Sequence, residues 1–330
     1  MTVKNKLEII LITYNRCKNL QQTLDEILSE RCPIHDLSIT VLDNNSTDAT
    51  AQIIMDQMAN HKNVKYRKNP YNLGIGGNIA RAMEIATAEY LWIMCDDDIY
   101  FWDNWHLLEN AIEEDHEVIC ISNHLLVGNE KVDIPHVIDQ FTFVPSIIIK
   151  TSLLTDVSMR NTYDAIVTLF PHLVPIITHV NNNNDIFVIP EPIVLPGGKA
   201  PDNSFIRGVA DNARDLFHKT RSMSFLVGYA SIISNLKSIK LKHECFRVAV
   251  RKTHFTHPGW IVFYCGVFLH MNGIMNKPLI AELITAAPWT HRKLLQIVQF
   301  LNNTWLYDLL VKTPIRSWLQ HLYDILCRKH

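Results

Sequence analysis

The stretch AEYLWIMCDDDIYFWDNW, residues 88–105, sets three adjacent carboxylates, Asp96, Asp97 and Asp98, at the end of an apolar run, and apolar residues resume straight after. Adjacent like charges repel, and taking them out of water is costly unless a cation or hydrogen-bond donors compensate. Carboxylate oxygens suit the hard cations Mg²⁺ and Mn²⁺, which bridge one or two protein carboxylates to phosphates. The D-x-D spacing of Asp96 and Asp98 is therefore read as a metal site facing a departing diphosphate, whose developing charge a bound cation neutralises.

The elements that position these groups come from the periodicity of residues 7–118. LEIILITY, LSITVLD, NVKYRKN and EYLWIMC have strand length and composition. CKNLQQTLDEILSE, DATAQIIMDQMAN and GGNIARAMEIATA carry apolar residues at helical spacing. Strand–helix alternation with apolar strands implies parallel βαβ units in an open sheet, where ligands bind beyond the carboxyl ends of the strands. Each of the four strands does end in polar residues. The first ends at Thr13, Tyr14, Asn15 and Arg16, and the second at Asp43, Asn44, Asn45, Ser46, Thr47 and Asp48. NPYNLGIGGN follows the third, and the aspartates follow the fourth. Asp43 suits hydrogen bonds from a ribose or base, whereas Asp48 suits capping or loop structure.

The glycines of NLGIGGN could bring backbone N–H groups up to phosphate oxygens. A dinucleotide fingerprint beginning at Gly74 and Gly76 fails at Ile79 and follows the wrong strand, which speaks against a nicotinamide dehydrogenase.

In this order and at these distances, LITYNR, LDNNSTDAT, NLGIGGN and CDDD resemble a family 2 glycosyltransferase of the GT-A fold, over residues 7–120. The resemblance implies transfer of a sugar from a nucleotide-diphosphate donor, UDP being the expected nucleotide, with inversion and with Mn²⁺ or Mg²⁺. It implies Thr13, Tyr14 and Asn15 in the base pocket, and Asp43 and Asn45 at the base or ribose. Asn78 or Arg81 would stand near the donor, with Asp96 and Asp97 on the nucleotide sugar and Asp96 and Asp98 on the metal. Many members read FLDxDD, so one register puts Cys95 at the first carboxylate and the other uses Asp96 and Asp98. Members also supply the base as an ED pair at the start of a later helix. This sequence has no such pair. RNTYDAIVTLFPHL is the nearest equivalent and makes Asp164 the candidate catalytic base, with Asp156 and His172 as rivals. Asp164 reads equally as a helix-start carboxylate favoured by the helix dipole. The relatives imply a glycan or polyprenyl-linked saccharide acceptor, as in bacterial O-antigen or capsule assembly.

Composition fits that class. The 330 residues are 48% hydrophobic and 19% charged, enough for a sizeable core. Net charge is −2, yet residues 1–206 carry 14 Lys+Arg against 27 Asp+Glu, and residues 207–330 carry 17 against 6. The basic region could meet anionic lipid headgroups or a phosphate-bearing acceptor, or be an ordinary solvated surface; nucleic acid is not an expected partner. Seven cysteines without a CxxC pair argue for reduced thiols rather than a disulfide framework or zinc ribbon. The N-terminus lacks a secretory h-region, and the longest apolar approach, GWIVFYCGVFLHMNGI, is too short to span a bilayer. The expected location is cytoplasmic, peripheral on the inner face of the cytoplasmic membrane.

The expected architecture is α/β, a GT-A domain over residues 1–205 followed by a basic, mainly helical region over 206–330. QFTFVPSIIIKTSLL reads as strand, turn and strand; NTYDAIVTLFPHLVPIIT as a helix broken near Pro171 and Pro175; NDIFVIPEPIVLPGG as one strand; PGGKAPDNS as a linker or mobile loop. Trp305, Leu306, Leu309, Leu310 and Trp318 form a stripe that suits a membrane surface, a core or a homodimer interface. Two other functions stay open. A non-catalytic nucleotide-sugar or glycan-binding module would fit the missing ED pair, though the aspartates argue against it. A metal-dependent nucleotidyltransferase would need a glycine-rich loop after the first strand, which is absent.

Overall fold

The computed structural model describes residues 3–122, 133–197, 225–252 and 277–301. Its centre is strand β1 (Leu7–Thr13), whose seven residues are all buried, as expected for a parallel strand covered on both faces. It pairs in parallel with β2 (Ser38–Asp43) and β4 (Tyr90–Cys95), and β2 pairs with β3 (Val64–Lys68). Helices α1 (Cys17–Ile27), α2 (Thr50–Asn60) and α3 (Gly74–Glu84) connect them. In α1 the buried residues are Leu20, Thr23, Leu24 and Ile27, one helical face. Each such leucine contributes roughly 1.5–3 kcal/mol by leaving water.

After the acidic residues comes a two-residue strand, β5 (Ile99–Tyr100), then α4 (Trp105–Glu113) and β6 (Val118–Ile121). The apolar residues that resume after Asp98 form an aromatic cluster. Tyr100, Trp102 and Trp105 surround Trp92, with ring centroids 6.1, 6.4 and 6.4 Å away. The Tyr100 hydroxyl donates to the Cys95 carbonyl at 3.0 Å, fixing the base of the acidic loop.

Further along are α5 (Ile134–Gln140), β7 (Ile147–Lys150), α6 (Asp156–Asp164), α7 (Leu173–Asn181), β8 (Phe187–Ile189) and β9 (Val194–Leu195). The sheet order is β3-β2-β1-β4-β7-β6-β8, and β7 alone runs against its neighbours. β9 pairs antiparallel with β5 in a separate two-stranded ribbon.

Three expectations need correction. QFTF is not a strand: α5 ends at Gln140, and a 3₁₀ turn over Val144–Ser146 leads into β7. The helix expected to be interrupted or ended near Pro171 and Pro175 is interrupted a little earlier, by a 3₁₀ turn (Ile166–Thr168) and a left-handed Leu169 between two helices. Pro175 lies in the first turn of α7, where the missing N–H costs no hydrogen bond. The strand expected over NDIFVIPEPIVL is β8 and β9, divided at Pro190 and Pro192.

The chain divides into two compact units, Met1–Arg214 with Asn235–Leu241 and Asp215–Ser234 with Lys242–His330. The described part of the second is helical: residues 225–233, most of α8 (Ile239–Lys252), α9 (Lys277–Ala286) and α10 (Trp289–Leu301). Within it, Arg292 donates to the carbonyls of Ile284 and Ala287 at the end of α9, a favourable place for a cation. The apolar stripe at Trp305, Leu306, Leu309, Leu310 and Trp318 lies outside the described residues, as do GWIVFYCGVFLHMNGI and most of PGGKAPDNS. Among the described residues no helix is long and apolar enough to cross a membrane.

Candidate active site

Register carries the polar strand ends to one rim. Thr13 stands beside Asp43 and Ile12 beside Cys95, so Asp96 follows at the level of Thr13. The Thr13 hydroxyl donates to Asp96 Oδ2 at 2.5 Å. Arg16 Nη1 lies 3.0 Å from Asp96 Oδ1 and 2.6 Å from Asp97 Oδ2, so one nitrogen bridges two carboxylates. The Thr23 hydroxyl, reaching up from α1, donates to the Asp96 carbonyl at 3.1 Å. Asp98 Oδ1 accepts the Gly197 N–H at 3.2 Å, while Asp98 Oδ2 is buried and, among the described residues, makes no hydrogen bond.

These surroundings perturb the acids strongly. Burial raises the Asp96 carboxyl to about 6, with Arg16 and Thr13 working the other way. Burial and then the neighbouring Asp97 raise Asp98 to about 7. Burial also acts to lower the Arg16 guanidinium, but Asp96 and Asp97 outweigh it and leave it above its usual value.

The second strand end is a scaffold. Asp43 is fully buried; its Oδ1 accepts the Ser46 N–H at 2.7 Å and its Oδ2 the Tyr66 hydroxyl at 2.8 Å. That holds the 43–46 turn, and a ligand reaches Asp43 only if the turn rearranges. Asn15, with φ of 51°, uses its Oδ1 to accept the Thr47 N–H and so joins the two strand ends. Asn45 also has positive φ, at 67°, and is part-exposed in the same turn, as is Tyr14 at the end of β1. Asp48 accepts the N–H groups of Cys17 and Thr50, the loop role expected of it.

The glycines of the third strand end serve packing. Gly74 has φ of 70°, and a Cβ on Gly76 would sit 2.1 Å from the Ile166 carbonyl oxygen, so that turn can close onto the start of α3 only over a glycine. Asn78 is buried and accepts from Asn69, which also donates to Asn44. Arg81 pairs with Glu84, which takes a hydrogen bond from Tyr163 as well. Neither Asn78 nor Arg81 touches the acidic loop.

Of the base candidates, Asp164 is the last residue of α6, not a helix start, which corrects the dipole reading. It is exposed, two residues before the turn that packs on Gly76 at the rim end of α3. Asp156 opens α6 at the opposite end, in a cleft of about 440 Å³ shared with Met83, Glu84 and Tyr163. His172 is buried; its Nε2–H donates to the Phe141 carbonyl at 2.9 Å, and burial lowers its pKa to about 4. It is a neutral core histidine out of a substrate's reach.

Sequence reasoning put Arg16 at the rim without giving it a role, and missed Gly197. Arg16 did carry a signal, since it precedes α1 at the N-cap, where the helix dipole disfavours a cation. Gly197 carried none, because its partners lie about a hundred residues earlier.

The donor set suits Mg²⁺ or Mn²⁺. Among the described residues no three His, Cys, Asp or Glu side chains converge into a ready cage. These ions need only one or two carboxylates when phosphates and water complete their shell. The unpartnered Asp98 oxygen, with Asp96 and Asp97 adjacent, offers that.

Known proteins place this geometry. The model of the family described as "Glycosyl transferase family 2" matches residues 8–173. The abequosyltransferase RfbV of Salmonella typhimurium is 32% identical over 108 residues, 32% of this chain and 32% of that protein. A GalNAc(5)-diNAcBac-PP-undecaprenol beta-1,3-glucosyltransferase of Campylobacter jejuni is 31% identical over 94 residues, 28% of this chain and 30% of that protein. These matches span about a third of each relative's length. Among solved structures, S. aureus TarS 1-349 in complex with UDP-GlcNAc superposes with a TM-score of 0.59 at 19% identity, covering 89% of this chain and 87% of that one. The mannosyltransferase PcManGT from Pyrobaculum calidifontis, in complex with GDP-Man and Mn²⁺, gives 0.53 at 16% identity, covering 91% and 87%. With half its length matched by the family model and its sheet and flanking helices shared with GT-A structures, this chain belongs to glycosyl transferase family 2.

Proposed function

We propose that the chain transfers a sugar, with inversion, from a UDP-linked donor to a glycan or polyprenyl-linked saccharide in bacterial surface polysaccharide synthesis. The observation that carries this reading is the meeting of Thr13 and Arg16, from the end of β1, with the acidic loop after β4, where one buried carboxylate oxygen makes no hydrogen bond among the described residues. Its support from relatives is the undecaprenol-linked substrate in one name and the UDP-GlcNAc in one neighbour. Asp98, with Asp96, is the candidate holder of Mg²⁺ or Mn²⁺, and Asp97 helps bind the nucleotide sugar. When bound, the cation supplies positive charge against the departing diphosphate. Thr13, Tyr14, Asn15 and Asn45 are the candidate nucleotide contacts, with Asp43 beneath them. Asp164 is the candidate base: it takes the proton of the acceptor hydroxyl as that oxygen bonds to the anomeric carbon and the nucleoside diphosphate leaves.

In this reading residues 1–205 bind donor and perform transfer, and residues 206–330 contact acceptor, membrane surface or a second copy. The location is cytoplasmic and peripheral on the membrane. Calorimetric titration with UDP, GDP, CDP and dTDP, each with and without Mn²⁺, tests it. Micromolar binding of UDP only with Mn²⁺ supports the donor assignment; binding of another nucleotide corrects it. Silence from all four favours a non-catalytic module on the same fold.

A further inference from the structure

We propose that Arg16 is a built-in counter-ion that lets the acidic loop accept a divalent cation only together with a diphosphate. The inference rests on reading this rim as the donor site. A single Arg16 nitrogen already bridges Asp96 Oδ1 and Asp97 Oδ2, and the Thr13 hydroxyl occupies Asp96 Oδ2. Three of the four carboxylate oxygens of Asp96 and Asp97 are thus committed inside the protein. Asp96 is only 2% exposed, so water cannot easily replace these partners.

A metal ion arriving alone must take oxygens from the guanidinium or stand beside it, and like charges in a partly desolvated pocket repel. A diphosphate changes that balance. Guanidinium groups bind phosphate oxygens through paired N–H donors. Among the described residues, Arg16 hydrogen-bonds through Nη1, which leaves Nε and Nη2 for such a partner. As Arg16 turns to the diphosphate, Asp96 would come free to join Asp98 on the cation that the same diphosphate also binds, and Asp97 would come free for the nucleotide sugar. The position fits a switch rather than a strut. Arg16 stands at the start of α1, where the helix dipole favours its departure, and its side chain is one-quarter exposed.

The test is Mn²⁺ binding itself, read from the free-ion electron paramagnetic resonance signal, with and without UDP, in the intact protein, R16K and R16Q. The intact protein is expected to bind Mn²⁺ at least tenfold more tightly with UDP than without. R16Q is expected to bind Mn²⁺ alone at least tenfold more tightly than the intact protein and to lose most of the gain from UDP. R16K, with a point charge and no fork, falls between. Metal affinity in R16Q equal to that of the intact protein, with the UDP gain retained, overturns the proposal and leaves Arg16 a structural ion pair. If R16Q does not melt cooperatively, R16K decides, and metal-only affinity unchanged there overturns it as well. If the intact protein binds no UDP even with Mn²⁺, the donor-site reading fails first, and this inference with it.

Discussion

Replacing Gly197 by alanine is the sharpest perturbation available to the acidic loop that leaves every charge in place. A Cβ built on Gly197 would lie 1.5 Å from the Asp97 carbonyl oxygen and 2.7 Å from its carbon. Ordinary contact needs roughly 3.5 Å, so the two segments must part by about 2 Å. The Gly197 N–H to Asp98 Oδ1 bond, already 3.2 Å long, does not survive that. A hydrogen bond to a charged acceptor contributes about 1.5–3 kcal/mol. The β5–β9 ribbon and the Phe101 N–H to Ile193 carbonyl bond beside it loosen by about another 1 kcal/mol. Most of this cost falls on one loop, so the melting temperature should drop by a few degrees while UDP·Mn²⁺ affinity falls at least tenfold. Differential scanning fluorimetry and calorimetry on the same samples separate the two effects. G197A protein binding UDP·Mn²⁺ within twofold of the intact protein, at an unchanged melting temperature, would refute the claim that this backbone approach sets Asp98.

Asp98→Ala should remove metal-dependent transfer while keeping the circular dichroism spectrum and melting temperature close to the parent; unchanged turnover would end its assignment as a metal ligand. Asp164→Asn should lower kcat by about 10²–10⁴-fold with UDP·Mn²⁺ affinity unaltered, the range expected for a lost general base. Equal turnover in that variant would move the base elsewhere. His172, held near 4 by burial, makes the fold acid-sensitive. Its folded pKa lies below the ordinary 6.5, so the neutral form favours folding; its contribution is complete above about pH 6.5 and is lost as pH falls toward 4. The full span is about 3 kcal/mol, from roughly 1.36 kcal/mol per unit. Urea unfolding of His172→Gln between pH 7.5 and 4.5 should show a flatter decline than the parent, and matching slopes would remove His172 from the account.

Much of the nucleotide half was legible because local pattern and long-range structure agree there. LEIILIT, SITVLD and YLWIMC are apolar, strand-length and bounded by polar turns, so β1, β2 and β4 follow with their carboxyl ends at one rim. The later strands were harder. Ile147, Ile148 and Ile149 read the same in either direction, so nothing in them says that β7 is antiparallel. That Tyr66 and Ser46 hydrogen-bond to Asp43 was not legible at the end of β2, because it depends on β3 and a turn folding over it. Asp164 looked like a helix start because no residue near it marks a stop. The prolines announced a break near Pro171, but not that α6 ends at Asp164 or that Leu169 adopts φ of 70°.

The reversed strand β7 has a consequence for how such a protein can diversify. Because it runs away from the rim, the chain leaves it at the far edge of the sheet and must travel back. It does so twice, first along α6 to the turn on Gly76, then through β8 to the ribbon that ends at Gly197. The rim carrying Thr13, Asp43 and the three aspartates is complete by residue 98, and the returning passages reach it at two glycine-sized points of contact. Insertions or exchanges in the excursions between those points can reshape the surface facing the rim without redrawing the rim itself. A strand laid in the opposite sense thus divides the gene into a part that must stay fixed and a part free to vary.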